Sequence, residues 1–259
     1  MINVLGICYE GKENFLKGTR IAPGYIRWAI ESIEDTSIYQ DNKSYKPYNE
    51  LGDIHVPWEY SNYEVIEFIS ERVEKLIDLY KMPFVFIGGD HFITYPVVKI
   101  ISQYIDDFAI IHLDAHLDRR DIFEGSKYNH ATFIRRLEEE GFTIYTLGYR
   151  SFASKEEYIN ERCYSFKVLE PLEKIINNHS KFYLTIDLDV LDPSIFPSVS
   201  NPEPNGISTI EIIHSIKLLR NKIISADIVE FSPMVSDHYR SGVIASIILR
   251  ELIISMKKV

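Results

Sequence analysis

Apolar residues along this chain fall into two repeating patterns. Short unbroken runs predict buried strands at residues 2–9, 83–87, 108–113, 143–147, 182–186 and 223–229. Between them, apolar residues return every third or fourth position and predict helices over 23–33, 63–80, 95–104, 131–140, 208–219 and 242–257. Ser208 with Glu211 reads as a capping box, with Ile212, Ile213 and Ile216 as the apolar face behind it. Lys257 and Lys258 are expected to close the last helical turn, where cations suit the dipole. Strands alternating with helices predict an α/β fold: a three-layer α/β/α arrangement, its sheet mostly parallel, with helices on both faces. Residues 35–62, with two prolines, and 192–207, with four, carry neither pattern and read as irregular. The second follows an acidic strand end and is expected to wall a pocket.

Four of the predicted strands end in acids and histidines. The run 108–113 stops in Asp114, His116 and Asp118, and strand alternation would carry all three side chains into one small volume at the sheet's edge. The run 83–87 ends in Gly88-Gly89-Asp90-His91, and 182–186 ends in Asp187-Leu188-Asp189. The run 223–229 contains Asp227 and is followed by Glu230. Ligand sites of open α/β sheets lie beyond the C-terminal strand ends, so these groups are expected to meet in one crevice. Crowded carboxylates repel one another unless a cation sits among them. His91, Asp114, His116, Asp118, Asp187 and Asp189 supply two imidazoles and four carboxylates, too many for one tetrahedral zinc and suited to two ions that share ligands. An oxygen-rich set favours manganese over zinc, and the histidines disfavour magnesium.

Composition narrows the function classes. With 259 residues, 46% of them hydrophobic, the chain can bury a full core and is expected to form a single domain over 1–259. A formal charge of −10 argues against nucleic acid or an anionic membrane as partner and suits a small cationic substrate. No apolar run approaches the roughly 20 residues that span a bilayer. The beginning of the chain reads as a first strand rather than a leader. Cys8 and Cys163 lack metal or redox spacing, so a reducing cytoplasm is the expected setting. Gly88-Gly89 is not followed by the lysine and hydroxyl residue of a phosphate loop, which disfavours a nucleotide site.

The strand-end motifs resemble those of the ureohydrolases, the family of arginases, agmatinases, formimidoylglutamases and guanidino-acid hydrolases, over nearly the whole chain. Gly88-Gly89-Asp90-His91 is similar to the family's G-G-D-H, Asp114-Ala115-His116-Leu117-Asp118 to D-A-H-x-D, and 187–193 to D-x-D-x-x-D-P. Residues 201–206 are similar to T-P-E-P-G-G, 227–230 to D-x-V-E, and 18–23 to G-x-R-x-G-P. Arg120-Asp121, Gly125, His130-Ala131 and Arg135-Arg136 look most like archaeal-type agmatinases. The resemblance implies the arginase-type fold, two Mn²⁺ per subunit, and a homo-oligomer of three or six copies. It implies hydrolysis of agmatine to putrescine and urea, a step of polyamine synthesis. Asp114 and Asp187 would be shared between the ions, His91 and Asp118 would complete one, and His116 and Asp189 the other. Asp118 would also orient the attacking water, Glu230 pair with the guanidinium, and His130 carry a proton to the departing amine.

Some positions depart from the family pattern. Phe92 stands where a serine usually follows G-G-D-H, and Asn201 where a loop threonine often meets the guanidinium. Arg120 replaces the arginases' asparagine, which disfavours arginine as substrate. The same cation suits an acid-bearing substrate, so a guanidino-acid or formimidoylglutamate hydrolase is the alternative, and Arg120 otherwise pairs with Asp121 or another acid. A catalytically silent metal-binding relative is the more distant one. Asp227 and Asp192 read as supporting or turn acids rather than ligands. His112 reads as a satisfied core histidine, and His55, His179, His214 and His238 as surface or helix positions.

Overall fold

The computed structural model describes residues 1–12, 16–153 and 157–256. In chain order its elements are β1 (Asn3–Cys8), α1 (Ala22–Ile30), β2 (Thr36–Ser37), β3 (Lys43–Ser44), β4 (Asn49–His55), α2 (Asn62–Tyr80), β5 (Phe84–Gly88), α3 (Thr94–Ile101), β6 (Ala109–Leu113), α4 (Phe133–Glu139), β7 (Thr143–Tyr149), β8 (Cys163–Ser165), α5 (Leu169–Ile175), β9 (Phe182–Asp187), α6 (Thr209–Leu218), β10 (Ile223–Val229) and α7 (His238–Met256). Eight strands form one sheet in the order β4-β1-β5-β10-β9-β6-β7-β8. Every pairing in it is parallel. Parallel strands need long crossovers, and helices cover both faces as the alternating pattern predicts.

The side-chain alternation of β5 shows how the two faces are built. Val85 and Ile87 join the core that holds Ala22 and Ile26 of α1, Leu172 of α5, Ile212 and Ile216 of α6, and Leu249 of α7. Phe84 and Phe86 join the opposite core, with Val65 and Ile69 of α2, Val97 of α3 and Ile134 of α4. Unbroken apolar runs are what a strand buried on both faces requires. The capping box appears where predicted: the Glu211 carboxylate accepts hydrogen bonds from the Ser208 amide (2.9 Å) and hydroxyl (2.7 Å). Ser61 and Glu64 do the same at the start of α2. Lys257 and Lys258 lie outside the described residues.

Three parts of the pattern were hidden. The stretch 35–62 is not irregular throughout: it holds the small β2–β3 hairpin and the edge strand β4. Only Ile54 of β4 is buried, so its polar sequence gave no apolar signal and the backbone pairing with β1 decides its conformation. β8 is too short to register as a run, and α5 carries Pro171 within its first turn, where a proline is tolerated but the periodicity is broken.

The four strands with chemistry at their ends are neighbours at the centre of the sheet, in the order β5-β10-β9-β6. Their C-terminal ends are fastened by backbone bonds around Gly89. Its amide donates to Ile7 O (3.2 Å), and its carbonyl accepts from the Glu230 amide (2.8 Å). A Cβ added at Gly89 would stand 2.0 Å from Tyr9 O and 3.0 Å from Thr19 O, both backbone atoms that cannot swing away. Gly89→Ala is therefore expected to cost about 1–3 kcal/mol of stability, as other overpacked substitutions do. The measurement is the urea midpoint, which should fall at an unchanged denaturant slope. An unchanged midpoint would show that this junction tolerates a side chain.

Candidate metal centre and active-site cavity

One local device turns the chain at three of these strand ends. Asp90, Asp114 and Asp187 each accept, on one carboxylate oxygen, the backbone N–H two residues ahead: Phe92 at 2.8 Å, His116 at 2.5 Å and Asp189 at 2.8 Å. These are aspartate turns. β6 ends at Leu113, so Asp114, His116 and Asp118 are not consecutive positions on one strand face, as the sequence pattern suggests. The turn, not the pleat, folds the D-x-H and D-x-D pairs back on themselves. Asp118 follows in a left-handed conformation at φ 54°, and Glu230 adopts one at φ 64°. Non-glycine residues rarely take this conformation, and those that do cluster at functional sites.

The six predicted ligands come together. His91 Nδ1 lies 3.1 Å from an Asp187 oxygen, 3.2 Å from Asp114 and 3.6 Å from Asp118. His116 Nδ1 lies 2.8 Å from Asp189 and 3.4 Å from the other Asp114 oxygen. Asp114 thus faces both histidines. The far nitrogen of His91 meets Thr185 Oγ1 at 2.8 Å, and Thr185 donates its hydroxyl hydrogen to Asp227. Tyr183 and Thr94 donate to the other Asp227 oxygen. The Thr185 oxygen must then accept from His91 Nε2–H, so Nδ1 is the nitrogen that presents a lone pair to the carboxylates' centre once the imidazole is neutral. Asp227 is a supporting acid, as its position suggested. Asp192 is one too, bonded to Ser194 and the Gly206 amide.

A cavity of about 300 Å³ opens over this cluster. His130, Glu230, Asn201 and Arg120 all line it with His91, His116, Asp118, Asp187 and Asp189. Glu230 accepts the His91 amide at 2.7 Å, and His130 Nδ1 stands 3.6 Å from buried Asp90. Asn201 Nδ2 lies 2.9 Å from His116 Nε2. Arg120 lies 4.7 Å over the Phe123 ring, while Asp121 pairs with Arg136 and Arg135. Val199, Ser200 and Asn201 place the loop after residue 192 in the wall, as expected. Ser151, Phe152, Ala153 and Glu157 form a further wall that no motif announced; their one signal is that they follow the C-terminal end of β7. Arg150 was likewise unmarked. Its guanidinium donates to the carbonyls of Asp189 (2.8 Å) and Glu203 (2.7 Å) and so ties the loop to the ligand strand.

Elsewhere, Cys8, Asp53 and His55 also lie within reach of a common point. Arg27 already pairs with Asp53 there, and burial with the Asp53 charge pushes the Cys8 thiol up to about 12, which makes it a poor ligand.

The sequence profile of the arginase family matches residues 1–255. The chain belongs to the arginase family. It is 32% identical to an agmatinase of Bacillus cereus, over 98% of this chain and 91% of that one. An agmatinase of Pyrococcus horikoshii is 31% identical over 88% of this chain and 83% of its own. Among solved structures, the agmatine ureohydrolase of Thermoplasma volcanium superposes with a TM-score of 0.87 at 26% identity, covering 98% of this chain and 89% of that one. This arginase-family chain is a ureohydrolase with the family's α/β fold around a cluster of His and Asp side chains able to bind metal.

Electrostatics show that the donor set fits cations. Burial and the Asp114 charge push Asp118 well above the carboxylate range, and burial with the Asp189 and Asp114 charges does the same to Asp187. Glu230 rises likewise through burial and the charges of Asp90 and Asp187. Burial lowers His91, but the Asp114 hydrogen bond and the neighbouring charges outweigh it and push it up to about 9. Burial lowers His116 too, and Asp189 and Asp114 outweigh it, so that it lies well above the imidazole range. Asp114 alone is held well below the carboxylate range: burial opposes this, but His112, His116 and His91 prevail. Protons here stand in for missing positive charge.

A pH dependence follows for protein kept in chelator. His91, His116, Asp118, Asp187 and Glu230 are all raised, so near neutral pH the folded state binds more protons than the unfolded one. Stability therefore falls as pH rises, and the melting temperature should drop between roughly pH 7 and pH 9. His112, lowered by burial to about 4, acts in the opposite sense, but mostly below the ordinary imidazole value. Saturating divalent metal should abolish the drop by replacing the protons. A level or rising melting temperature in chelator would contradict the charge assignment.

Proposed function

We propose that the chain hydrolyses agmatine to putrescine and urea with two Mn²⁺ held by His91, Asp114, His116, Asp118, Asp187 and Asp189. The observation that carries this reading is that His130 and Glu230 line the same small cavity as the ligand cluster. Asp114, which faces both histidines, and Asp187 would be shared between the ions; His91 and Asp118 would help hold one, His116 and Asp189 the other. When bound, such ions polarise the substrate and bring the pKa of a water to about 7, supplying a nucleophile at neutral pH.

The chain's own residues do the rest. Glu230 pairs with the guanidinium, its carboxylate steadied by the His91 amide. That contact holds a cation whose pKa is about 12.5 or more in its charged form and sets its carbon over the cluster. Asp118 accepts a proton from the attacking water. The C–N bond to the butylamine chain breaks only as that nitrogen gains a proton, which His130 delivers, oriented by Asp90. Asn201 holds the rim beside His116. Farther out, the Glu157 carboxylate shares the wall with Ser151 and Phe152 and suits a primary ammonium tail. On family resemblance the reading extends to a single domain, to trimers or hexamers in the cytoplasm and to polyamine synthesis.

Arg120 supports a second reading, in which a guanidino acid or formimidoylglutamate places its carboxylate against the guanidinium. Manganese-loaded protein assayed on agmatine, guanidinobutyrate, arginine and formiminoglutamate, for urea or formamide release, separates the two. Agmatine should lead, and Arg120→Ala should speed it. Turnover of acid-bearing substrates alone, lost in Arg120→Ala, would replace agmatine with the second reading, and no turnover of any would indicate a silent relative. His130→Asn should lower kcat on the best substrate by roughly 10²- to 10⁴-fold. A value within a factor of a few of the parent would remove His130 from proton transfer.

A further inference from the structure

Asp114 Oδ2, which faces His91 at 3.2 Å, has a second imidazole partner. Its Oδ2 meets His112 Nε2 at 2.7 Å, His112 Nδ1 meets Thr146 Oγ1 at 3.1 Å, and Thr146 Oγ1 meets an Arg119 terminal nitrogen at 2.9 Å. All four residues are fully buried. Arg119 is in turn held by Glu138 of α4, through Nε at 3.1 Å and its other terminal nitrogen at 3.2 Å. The line runs from a helix through two strands to a carboxylate of the ligand cluster.

We propose that Arg119, Thr146 and His112 are positioning residues that fix the orientation of the Asp114 carboxylate and thereby the affinity of the metal centre. Donor counting allows one arrangement. Arginine is a donor only, so Thr146 accepts from it, and the threonine hydrogen is free to go to His112 Nδ1. An ionised Asp114 is an acceptor only, so His112 Nε2 carries hydrogen and donates to it. His112 lies within metal-ligand reach of His91, Asp114 and Asp118, yet in this tautomer neither nitrogen has a lone pair to offer a cation. It anchors a ligand instead of being one. Glu138 takes two of the five guanidinium hydrogens and the Leu117 carbonyl (3.4 Å) another; the bond to Thr146 is what connects Arg119 to the site.

The inference rests on the two-metal reading, and Mn²⁺ titration by calorimetry, with the Mn²⁺ electron paramagnetic resonance spectrum at equal occupancy, separates the two. Wild-type protein that binds no pair of Mn²⁺ ions overturns both. Given a wild-type pair, Thr146→Val, which leaves the Arg119–Glu138 pair intact, should bind Mn²⁺ roughly 10- to 100-fold more weakly, the range for residues that orient ligands. Two ions should still bind at saturation, with an altered spectrum, and Thr146→Ser should restore affinity and spectrum. Should the valine variant fail to fold in chelator, Arg119→Lys, whose single ammonium cannot serve both Glu138 and Thr146, should show the same weakening. Wild-type affinity and spectrum in the folded variant would overturn the proposal, even with a lower melting temperature, because that is what a merely structural contact predicts. So would the loss of one ion on removing His112 with no change on removing the Thr146 hydroxyl, since His112 would then be a ligand.

Discussion

Like charges must be crowded here against their repulsion, and most of the structure serves that end. Two unit charges 4 Å apart near a protein surface interact by about 4 kcal/mol, whereas an exposed salt bridge contributes about 0–1 kcal/mol. Asp114, Asp118, Asp187 and Asp189 stand around two imidazoles, all four almost wholly buried. A few uncompensated pairs of that kind would consume much of the 5–15 kcal/mol by which domains are typically stable. The protein meets the problem with a rigid parallel sheet and with aspartate turns that use one oxygen of each turn-forming carboxylate for the backbone. Protons or cations must neutralise what remains, which is why Asp118 and Asp187 rise while Asp114, between histidines, falls.

Around that crowd lies a shell that directs lone pairs. Asp227 receives three hydroxyls and through Thr185 fixes which nitrogen of His91 is bare. Asp90 turns the chain, caps the short turn that carries His91 and faces His130. Glu230 is held by its own amide on Gly89 and by its carboxylate on His91, enough constraint to keep a left-handed glutamate in place. Local cost is accepted where a side chain must be aimed.

The central strands were legible because burial on both faces demands unbroken apolar runs. The cluster was legible because Asp and His in D-x-H or D-x-D spacing have few other uses after such a run. The wrong inference about Asp114 to Asp118 was mechanical: alternation along a strand and an aspartate turn both bring i and i+2 together, and only coordinates tell them apart. β4 was invisible since an edge strand needs backbone partners more than apolar side chains. Arg119, Thr146 and His112 were illegible for a different reason. Each is a polar residue with an ordinary bland reading, and the line exists only because β6 and β7 lie side by side in register, His112 opposite Thr146.

The same division separates chemistry from specificity. The reacting end is built on strand ends and turns whose carboxylates are each bonded several times, so its geometry leaves little freedom. Arg120, Phe123, Phe152 and Glu157 line the rest of the cavity, on the connections after β6 and β7. Connections tolerate change that a packed strand end does not. A cation and a carboxylate on that outer wall can favour opposite tails, according to which one the substrate reaches. Likeness to agmatinases in the strand-end motifs therefore bears on the proposed bond cleavage far more than on a substrate's tail, and it does not carry over to the wall formed by those connections.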